Sequence, residues 1–315
     1  MKITILSPQS GFTPEQQKKL SQLGGVVYTN SRDEFPLEDL IKLAAGSEIL
    51  GADPDNLGGF EKAMAGNLTK LLESLPNLKG VALASTSFSW IDLDYCRKRG
   101  LLVTNVPYYS TESVAEHVLG LLVCLAKKIL ISDRRTQQAK YVSEMGFELK
   151  GKTLGMIGLG HIGARVAELG NAIGMKVIGF SRTPKNLGFV EEKSLDEVLS
   201  QADAISINVA HNKETENLIS VEQLNKMKNG VIVVNLATRE LVDEKAMAEA
   251  LKSGKVTSYA YEGDDLASGP LSQVETAIGL KPFAWYTKEA LEKASEIWTE
   301  SLVSLAQGKP VNLVA

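Results

Sequence analysis

The chain has few cysteines, no block of basic residues and no long apolar run. Its two cysteines, Cys96 and Cys124, lack the spacing of a metal site, which indicates a reducing cytosol rather than a disulfide framework. The net charge of −4 and the absence of a basic block argue against nucleic acid or an anionic membrane as the main partner. No apolar run approaches the roughly 18 residues of a membrane span. These absences favour a small-molecule substrate, and no metal site is expected.

The pattern of apolar residues predicts alternating strands and helices along most of the chain. With 315 residues, 44% of them hydrophobic, the chain can bury the cores of about two domains. Alternation of this kind predicts parallel, doubly wound α/β sheets. A long helix is predicted over 110–129, with capping-box spacing from Ser113 to Glu116, and a final helix over 287–307.

The most specific motif is a glycine pattern between a predicted strand and a predicted helix, with a second strand after the helix. This context is typical of a dinucleotide-binding turn. The glycines allow a tight turn, close approach of the pyrophosphate and close packing of helix on strand, and the pyrophosphate lies on the helix N-terminus. The residues of this turn predicted to contact the cofactor are Gly158, Gly160, His161, Ile162 and Gly163.

The residues after the second strand of this unit indicate which dinucleotide binds. An NAD-binding unit usually carries Asp or Glu there, to accept from the ribose 2′-hydroxyl. This chain has no carboxylate in the turn, and its Arg182 suits a 2′-phosphate through a charge-assisted pair. The alternative is an ordinary solvated Arg and Lys in a surface loop. The pattern favours NADP(H) over NAD(H), with contacts from Ser181, Arg182, Thr183 and Lys185.

Several ungapped segments resemble the D-2-hydroxyacid dehydrogenase family. They are NVPYYSTESVAEH at 105–117, GKTLGMIG at 151–158, NLA at 235–237, LVDE at 241–244, SGK at 253–255 and AW at 284–285. The resemblance implies two Rossmann-like domains. It places a discontinuous substrate domain at 1–102 and 284–315, and a dinucleotide-binding domain at 103–283. It also implies a homodimer formed through the nucleotide-binding domains, and the turn at Arg182 is similar to that of NADPH-using glyoxylate and hydroxypyruvate reductases.

The resemblance implies further cofactor contacts after the later strands of the dinucleotide-binding domain. Glu262 falls where the family has an Asp that accepts a hydrogen bond from the nicotinamide carboxamide. The full set implied here is Val209, Ala210, Leu236, Ala237, Thr238 and Glu262.

Catalysis in the family rests on an Arg, a His and a Glu, and this chain departs at all three positions. Thr238 occupies the Arg position, with Arg239 as the next residue, and Pro282 occupies the His position. No histidine lies in 212–315. Two acids, Asp264 and Asp265, lie near the Glu position, without a histidine to pair with.

Four residues are candidates to replace the missing chemistry. Arg239 could still anchor a carboxylate, since guanidinium groups bind carboxylates at two points. Lys281 lies beside the lost His position, and His211 follows a strand whose end normally faces the cofactor. For Lys281 the alternative is a solvated surface lysine, and for His211 it is a satisfied loop histidine without a role. The candidates for catalysis are Arg239, Asp264, Lys281 and His211.

The substrate-binding turn also departs from the family. In the family a glycine-containing turn holds the substrate carboxylate with backbone N–H groups. This chain has Ser85, Thr86 and Ser87 there, which add hydroxyls and restrict the turn. The alternative is a neutral surface substitution.

Three functions are compatible with this mixture of kept and lost residues. The first is an NADP(H)-dependent oxidoreductase with a non-standard site, which transfers hydride to a carbonyl, an imine or an activated alkene. The second is a non-catalytic, NADP(H)-binding regulatory protein. The third is a 2-keto acid reductase, for glyoxylate or hydroxypyruvate, that uses the shifted Arg239.

Overall fold

A computed structural model describes all 315 residues, and the chain divides into two compact units. The first unit comprises Met1–Tyr109 and Lys288–Ala315, and the second comprises Ser110–Thr287. These divisions lie a few residues beyond the boundaries expected at 102 and 283. Each unit contains one sheet, and every strand pair within the two sheets is parallel.

The first unit is a five-stranded sheet in the order β2-β1-β3-β4-β5. Its strands are β1 (Lys2–Pro8), β2 (Gly25–Thr29), β3 (Ile49–Ala52), β4 (Gly80–Leu83) and β5 (Leu102–Thr104). Its first helices are α1 (Pro14–Ser21), α2 (Leu37–Ala44), α3 (Gly59–Lys62), α4 (Leu68–Glu73) and α5 (Leu93–Arg99).

The second unit is a seven-stranded sheet in the order β12-β11-β10-β9-β6-β7-β8. Its strands are β6 (Thr153–Ile157), β7 (Lys176–Phe180), β8 (Glu191–Glu192), β9 (Ala204–Ile207), β10 (Val231–Asn235), β11 (Val256–Glu262) and β12 (Ala277–Leu280). Its helices are α6 (Thr111–Ala126), α7 (Ile129–Gln137), α8 (His161–Ala172), α9 (Leu195–Gln201), α10 (Val221–Lys226) and α11 (Glu244–Lys252).

The final helix, α12 (Lys288–Ala306), packs on the first unit, where its Trp298 indole Nε1 donates to the carbonyl of Ala82 at 2.9 Å. The central strands are continuous apolar runs because both faces of each sheet are buried. In β10 all five residues are buried. No helix of the structure combines the length and the apolarity needed to cross a bilayer. The predicted α/β class with two doubly wound parallel sheets is therefore confirmed.

The long helix predicted over 110–129 is divided in the structure. It ends at Ala126, and Lys128 adopts a left-handed conformation with φ of 59° before α7 begins. The predicted cap was also wrong. The N-cap residue is Ser110, and the hydroxyl of Ser113 instead donates to the carbonyl of Ala284 at 2.5 Å. The Ser113 hydroxyl thus bonds to a distant segment of the chain, although the local spacing predicted that it would cap the helix.

Candidate functional site

The glycine turn between β6 and α8 leaves room for a ligand. Gly158 has φ of 97°, and a Cβ placed on it would lie 2.4 Å from the carbonyl oxygen of Asn208. A Cβ on Gly163 would lie 2.1 Å from the carbonyl oxygen of Gly158, so α8 packs directly on the turn. A Cβ on Gly160 would meet no atom within 4 Å. Two glycines are therefore required by packing, and the third faces open space.

The start of α8 suits an anion. Gly160 is its N-cap residue, no side chain caps the helix, and the first turn contains no acidic residue. The main-chain N–H groups of Ile162 and Gly163 lie in this first turn, and the helix dipole favours negative charge there. The turn follows β6, which lies next to β9 at the point where the strand order reverses, the usual ligand position in an open α/β sheet. These features fit the pyrophosphate of a dinucleotide.

The side-chain carboxylate of Glu192 stabilises the turn after β7 by accepting hydrogen bonds from its main-chain N–H groups. Glu192 accepts from the N–H groups of Lys185 and Asn186 at 2.7 and 2.6 Å. Arg182 pairs with Glu214 at 3.1 Å, but both side chains are about three-quarters exposed, at 75% and 77%. An exposed pair of this kind contributes little free energy. A phosphate could therefore replace Glu214 as the partner of the Arg182 guanidinium. The half-buried Ser181 and the exposed Thr183 lie in the same turn.

Arg239 is committed to other protein groups. Its Nε and Nη2 donate to the two carboxylate oxygens of Glu244 at 2.6 and 2.8 Å, and Nη1 donates to the carbonyl of Asp265 at 2.5 Å. The guanidinium carbon lies 5.7 Å from the ring centre of Tyr261. Hydrogen bonding with Glu244 raises the pKa of Arg239 further. A substrate carboxylate would have to displace Glu244.

The segment that replaces the family's histidine is bound to β11. Oε1 of Glu262 accepts from the N–H groups of Phe283 and Ala284 at 3.0 and 2.9 Å. Burial raises the pKa of Glu262, and the two N–H donors oppose that effect. The Lys281 ammonium donates to the carbonyl of Asp264. Oε1 of Glu262 is thus occupied, and only Oε2 remains for a cofactor amide.

A histidine that was not among the sequence candidates packs against the same segment. The ring of His117, on α6, meets the ring of Phe283 edge-on, with centroids 5.2 Å apart. Its Nε2 is buried and has no hydrogen-bond partner. Burial lowers the pKa of His117, so the imidazole is neutral near pH 7. The only signal in the sequence was its place at the end of the matching segment 105–117.

Comparisons with known proteins agree with this geometry. The family model for the "D-isomer specific 2-hydroxyacid dehydrogenase, NAD binding domain" matches residues 119–278. The chain belongs to this family. Its members include dehydrogenases and reductases, so this chain is an oxidoreductase-type protein with an NAD-binding domain of the Rossmann kind.

Two curated relatives and one solved structure illustrate the range of the family. The D-3-phosphoglycerate dehydrogenase of Archaeoglobus fulgidus is 36% identical over 253 residues, which span 77% of this chain and 48% of that longer protein. The glyoxylate reductase of Aeropyrum pernix is 34% identical over 263 residues, or 78% of each chain. The structure of the acyclic imino acid reductase Bsp5, in complex with NADPH and D-Arg, aligns over 100% of both chains with a TM-score of 0.82 and 27% identity.

The positions that the resemblance implies for the family's Arg and His hold neutral groups in this chain. The Thr238 hydroxyl donates to the carboxylate of Glu240, and its carbonyl accepts from the Asn235 amide at 2.8 Å. Pro282 has no side-chain donor, and its carbonyl accepts from the indole of Trp285 at 3.1 Å. Neither position supplies a cation or a titratable acid.

The remaining candidates after the strands of the second unit are exposed. His211 makes no hydrogen bond, and the side chain of Asp264 is exposed. Asp265 accepts from the hydroxyl of Ser268, which lowers its pKa. Neither acid has a histidine partner. The residues that follow β9 and β10, at the same sheet edge as the glycine turn, are Val209, Ala210, Leu236 and Ala237.

In the first unit, the hydroxyls of the substrate-turn residues serve the turn itself. Ser85 Oγ donates to the carbonyl of Ser87 at 2.7 Å and accepts from the indole of Trp90 at 3.0 Å. Thr86 donates to the carbonyl of Val106 at 2.7 Å. Ser87 shares a hydrogen bond with Ser89 at 3.1 Å. These side chains brace the turn that follows β4.

Proposed function

We propose that this chain is an NADPH-dependent reductase that transfers hydride to a carbon–nitrogen double bond. The observation that carries this proposal is the loss of both polar groups of the family site, at Thr238 and Pro282, beside an intact glycine turn. The acyclic imino acid reductase, which aligns along the whole chain, supports the same substrate class.

The chemistry of the reaction explains why an imine fits this site. The nicotinamide cofactor, when bound, supplies the hydride. A carbonyl that receives a hydride becomes an alkoxide, which needs a proton and a nearby cation. A protonated imine already carries both the proton and the positive charge. When the hydride adds to carbon, the π electron pair moves to nitrogen and a neutral amine results. The site then needs neither the Arg nor the His.

Carboxylates at the end of β11 and in the loop after it support a cationic substrate. Glu262 is half-buried, and its Oε2 has no hydrogen-bond partner, while Asp264 and Asp265 follow directly in the exposed loop. Negative charge at this edge stabilises an iminium relative to a neutral ketone. The nearby Arg239 does not offset these groups, because Glu244 neutralises it. We assign Glu262 the double role of bracing the Phe283 segment and facing the nicotinamide end of the cofactor.

Arg182 and Lys185 support NADPH as the cofactor. Both side chains are exposed after β7, and no carboxylate is present in the turn from Ser181 to Lys185. Glu214 is the one acidic group paired with Arg182. In this proposal the 2′-phosphate takes the place of Glu214, and Lys185 adds a second cation.

Exposed apolar residues after α7 support a homodimer through the second unit. Tyr141 is 93% and Met145 94% exposed, with Val142 also exposed between them. Large apolar side chains at such exposure are typical of a surface that a partner covers. We assign a second copy of this chain as the partner.

The two free cysteines are consistent with a cytoplasmic protein.

The structure also bears on the two other functions. The 2-keto acid reductase with a shifted Arg is disfavoured, since every nitrogen of the Arg239 guanidinium already donates to Glu244 or Asp265. The absence of the Arg and the His is compatible with a non-catalytic regulator, but no structural feature favours that function over catalysis.

A substrate panel tests the proposal. The purified protein is mixed with NADPH and pyruvate or glyoxylate, with or without methylamine at pH 7 to 9, and loss of NADPH absorbance is followed. Oxidation of NADPH only when the amine is present supports imine reduction. Equal rates of NADPH oxidation without the amine would instead support keto acid reduction. Tight NADPH binding with no turnover, either with or without the amine, would favour the regulator.

A further inference from the structure

Asp53 is the one charged side chain among the buried residues of the chain, with 9% of its surface exposed. It comes directly after β3, in which every residue is buried. Its Oδ1 accepts from the N–H of Asp55 at 3.1 Å, but the carboxylate forms no ion pair. A buried carboxylate without a counter-ion is unfavourable, and buried charges are usually paired. Asp53 therefore lacks a partner that its environment requires.

Asp53 lies where an open α/β sheet usually binds its ligand. The strand order β2-β1-β3-β4-β5 reverses direction between β1 and β3, and ligands bind at the carboxyl ends of strands at such a point. Ile5 on β1 is the register partner of Gly51 on β3. When this register is continued by two residues, Ser7 comes beside Asp53.

Ser7 is a second polar group without a partner at this point. Only 1% of its surface is exposed, and its hydroxyl makes no hydrogen bond within the protein. A Cβ placed on Gly11 would lie 3.7 Å from Ser7 Oγ and 3.8 Å from Nη2 of Arg32. The hydroxyl therefore faces the turn after β1, and Arg32 approaches the same turn from the segment after β2. Glycine at position 11 leaves space between them.

Two charged groups influence Asp53, and neither pairs with it. Burial, followed by the nearby Asp55, raises the pKa of Asp53 to about 6, and Arg32 opposes this effect. The carboxylate is consequently ionised at neutral pH and has no counter-ion. Arg32 is exposed and forms no ion pair of its own. Arg32 is thus the nearby cation, but it forms no ion pair with the Asp53 carboxylate.

We infer that the first unit binds a guanidinium group on the Asp53 carboxylate, with the Ser7 hydroxyl as a second hydrogen-bond acceptor. The cation supplies the missing counter-ion, and its N–H donors satisfy Oδ2 of Asp53. This binding requires no hydride transfer. If the proposed function holds, the cation is part of the substrate of that reaction, which would then carry a basic group in addition to its imine.

Calorimetric titration with arginine and with citrulline tests this inference. The two amino acids have nearly the same shape, but the side chain of citrulline is uncharged. The full-length protein, with and without NADPH, is expected to bind arginine about tenfold more tightly than citrulline at pH 8, as a charge-assisted hydrogen bond provides. Arginine affinity is expected to fall as the pH is lowered through 6, where Asp53 gains a proton.

Two variants with the same charge change separate the site from a general charge effect. Asp53→Asn removes the buried carboxylate, and Asp33→Asn removes an exposed one that makes no side-chain contact. Asp53→Asn is expected to abolish both the preference for arginine and its pH dependence, while Asp33→Asn retains them. Thermal unfolding checks that each variant is folded. Equal affinity for arginine and citrulline in the wild type, or a preference that survives in Asp53→Asn, overturns the inference. Neither result depends on whether the protein reduces imines.

Discussion

Arg239 and Glu244 form a two-point ion pair, with Nε–Oε1 at 2.6 Å and Nη2–Oε2 at 2.8 Å. The two side chains are only 25% and 17% exposed, and they join the segment after β10 to the first turn of α11. We therefore propose that Arg239, the arginine next to the position implied for the family's catalytic Arg, has a structural role in this chain.

Replacement of Arg239 should reduce stability. Arg239→Ala leaves the mostly buried Glu244 without its partner, so we expect the free energy of unfolding to fall by about 2–4 kcal/mol. Urea unfolding at pH 7.5 measures the change. The control is Arg182→Ala, which breaks an exposed pair and should cost less than about 1 kcal/mol.

The kinetic effect of Arg239→Ala separates a structural role from substrate binding. At a temperature where the variant is folded, the KM for the substrate should change less than about threefold. A variant of wild-type stability with a KM raised a hundredfold would instead assign Arg239 to substrate binding.

Two glycines of the turn should respond differently to the same substitution. Gly160 has φ of −68° and open space around it, so Gly160→Ala should fold normally and lose affinity for NADPH, because the methyl group occupies the path of the pyrophosphate. Gly163→Ala forces a methyl group into the carbonyl of Gly158 and should lower the melting temperature. Fluorescence titration and thermal unfolding measure the two effects. Unchanged NADPH affinity in Gly160→Ala would contradict this assignment of the site.

Arg182 should determine the preference for NADPH. Removal of its guanidinium in Arg182→Ser deletes a charge-assisted contact with the 2′-phosphate. We expect NADPH to bind about tenfold more weakly and NADH to bind unchanged. Glu214→Gln is the opposite control, because it removes the competing carboxylate and should leave NADPH affinity equal or higher. An equal loss for NADPH and NADH in Arg182→Ser would show that the cofactor lacks this contact.

Asp53 should make the stability of the protein depend on pH. Its pKa in the folded state, about 6, is above the ordinary aspartate value of 3.8. The folded state therefore binds this proton more tightly, and stability is lost as the pH rises from about 4 through 6. Asp53→Asn removes this loss, so it should be more stable than the wild type at pH 7.5, by up to about 3 kcal/mol, and similar to it at pH 4. Urea unfolding across this pH range measures the difference; parallel curves for the two proteins would contradict it.

Local pattern was sufficient to predict the fold and the glycine turn. Alternating apolar segments correspond to the parallel sheets. Gly158 has the positive φ, and Gly163 the close packing, that the motif demands. These features depend on neighbours in the chain, which is why periodicity and spacing reveal them.

Contacts between distant segments were beyond prediction from the sequence. The Ser113 hydroxyl has the spacing of a helix cap, but the carbonyl of Ala284, 171 residues away, takes it. The hydroxyls of Ser85 and Thr86 suggested substrate contacts, and the structure uses them to brace the turn. The burial of Asp53 likewise depends on strands that meet only in the folded chain.

Imine reduction is tested most directly by the fate of deuterium from NADPH labelled at C4 of the nicotinamide. The protein is incubated with each C4 stereoisomer of labelled NADPH, pyruvate and methylamine, and the products are identified by mass spectrometry. Imine reduction predicts that one stereoisomer gives N-methylalanine labelled at the former carbonyl carbon, with no labelled lactate. Labelled lactate as the main product would contradict imine reduction and show that the protein reduces the keto acid.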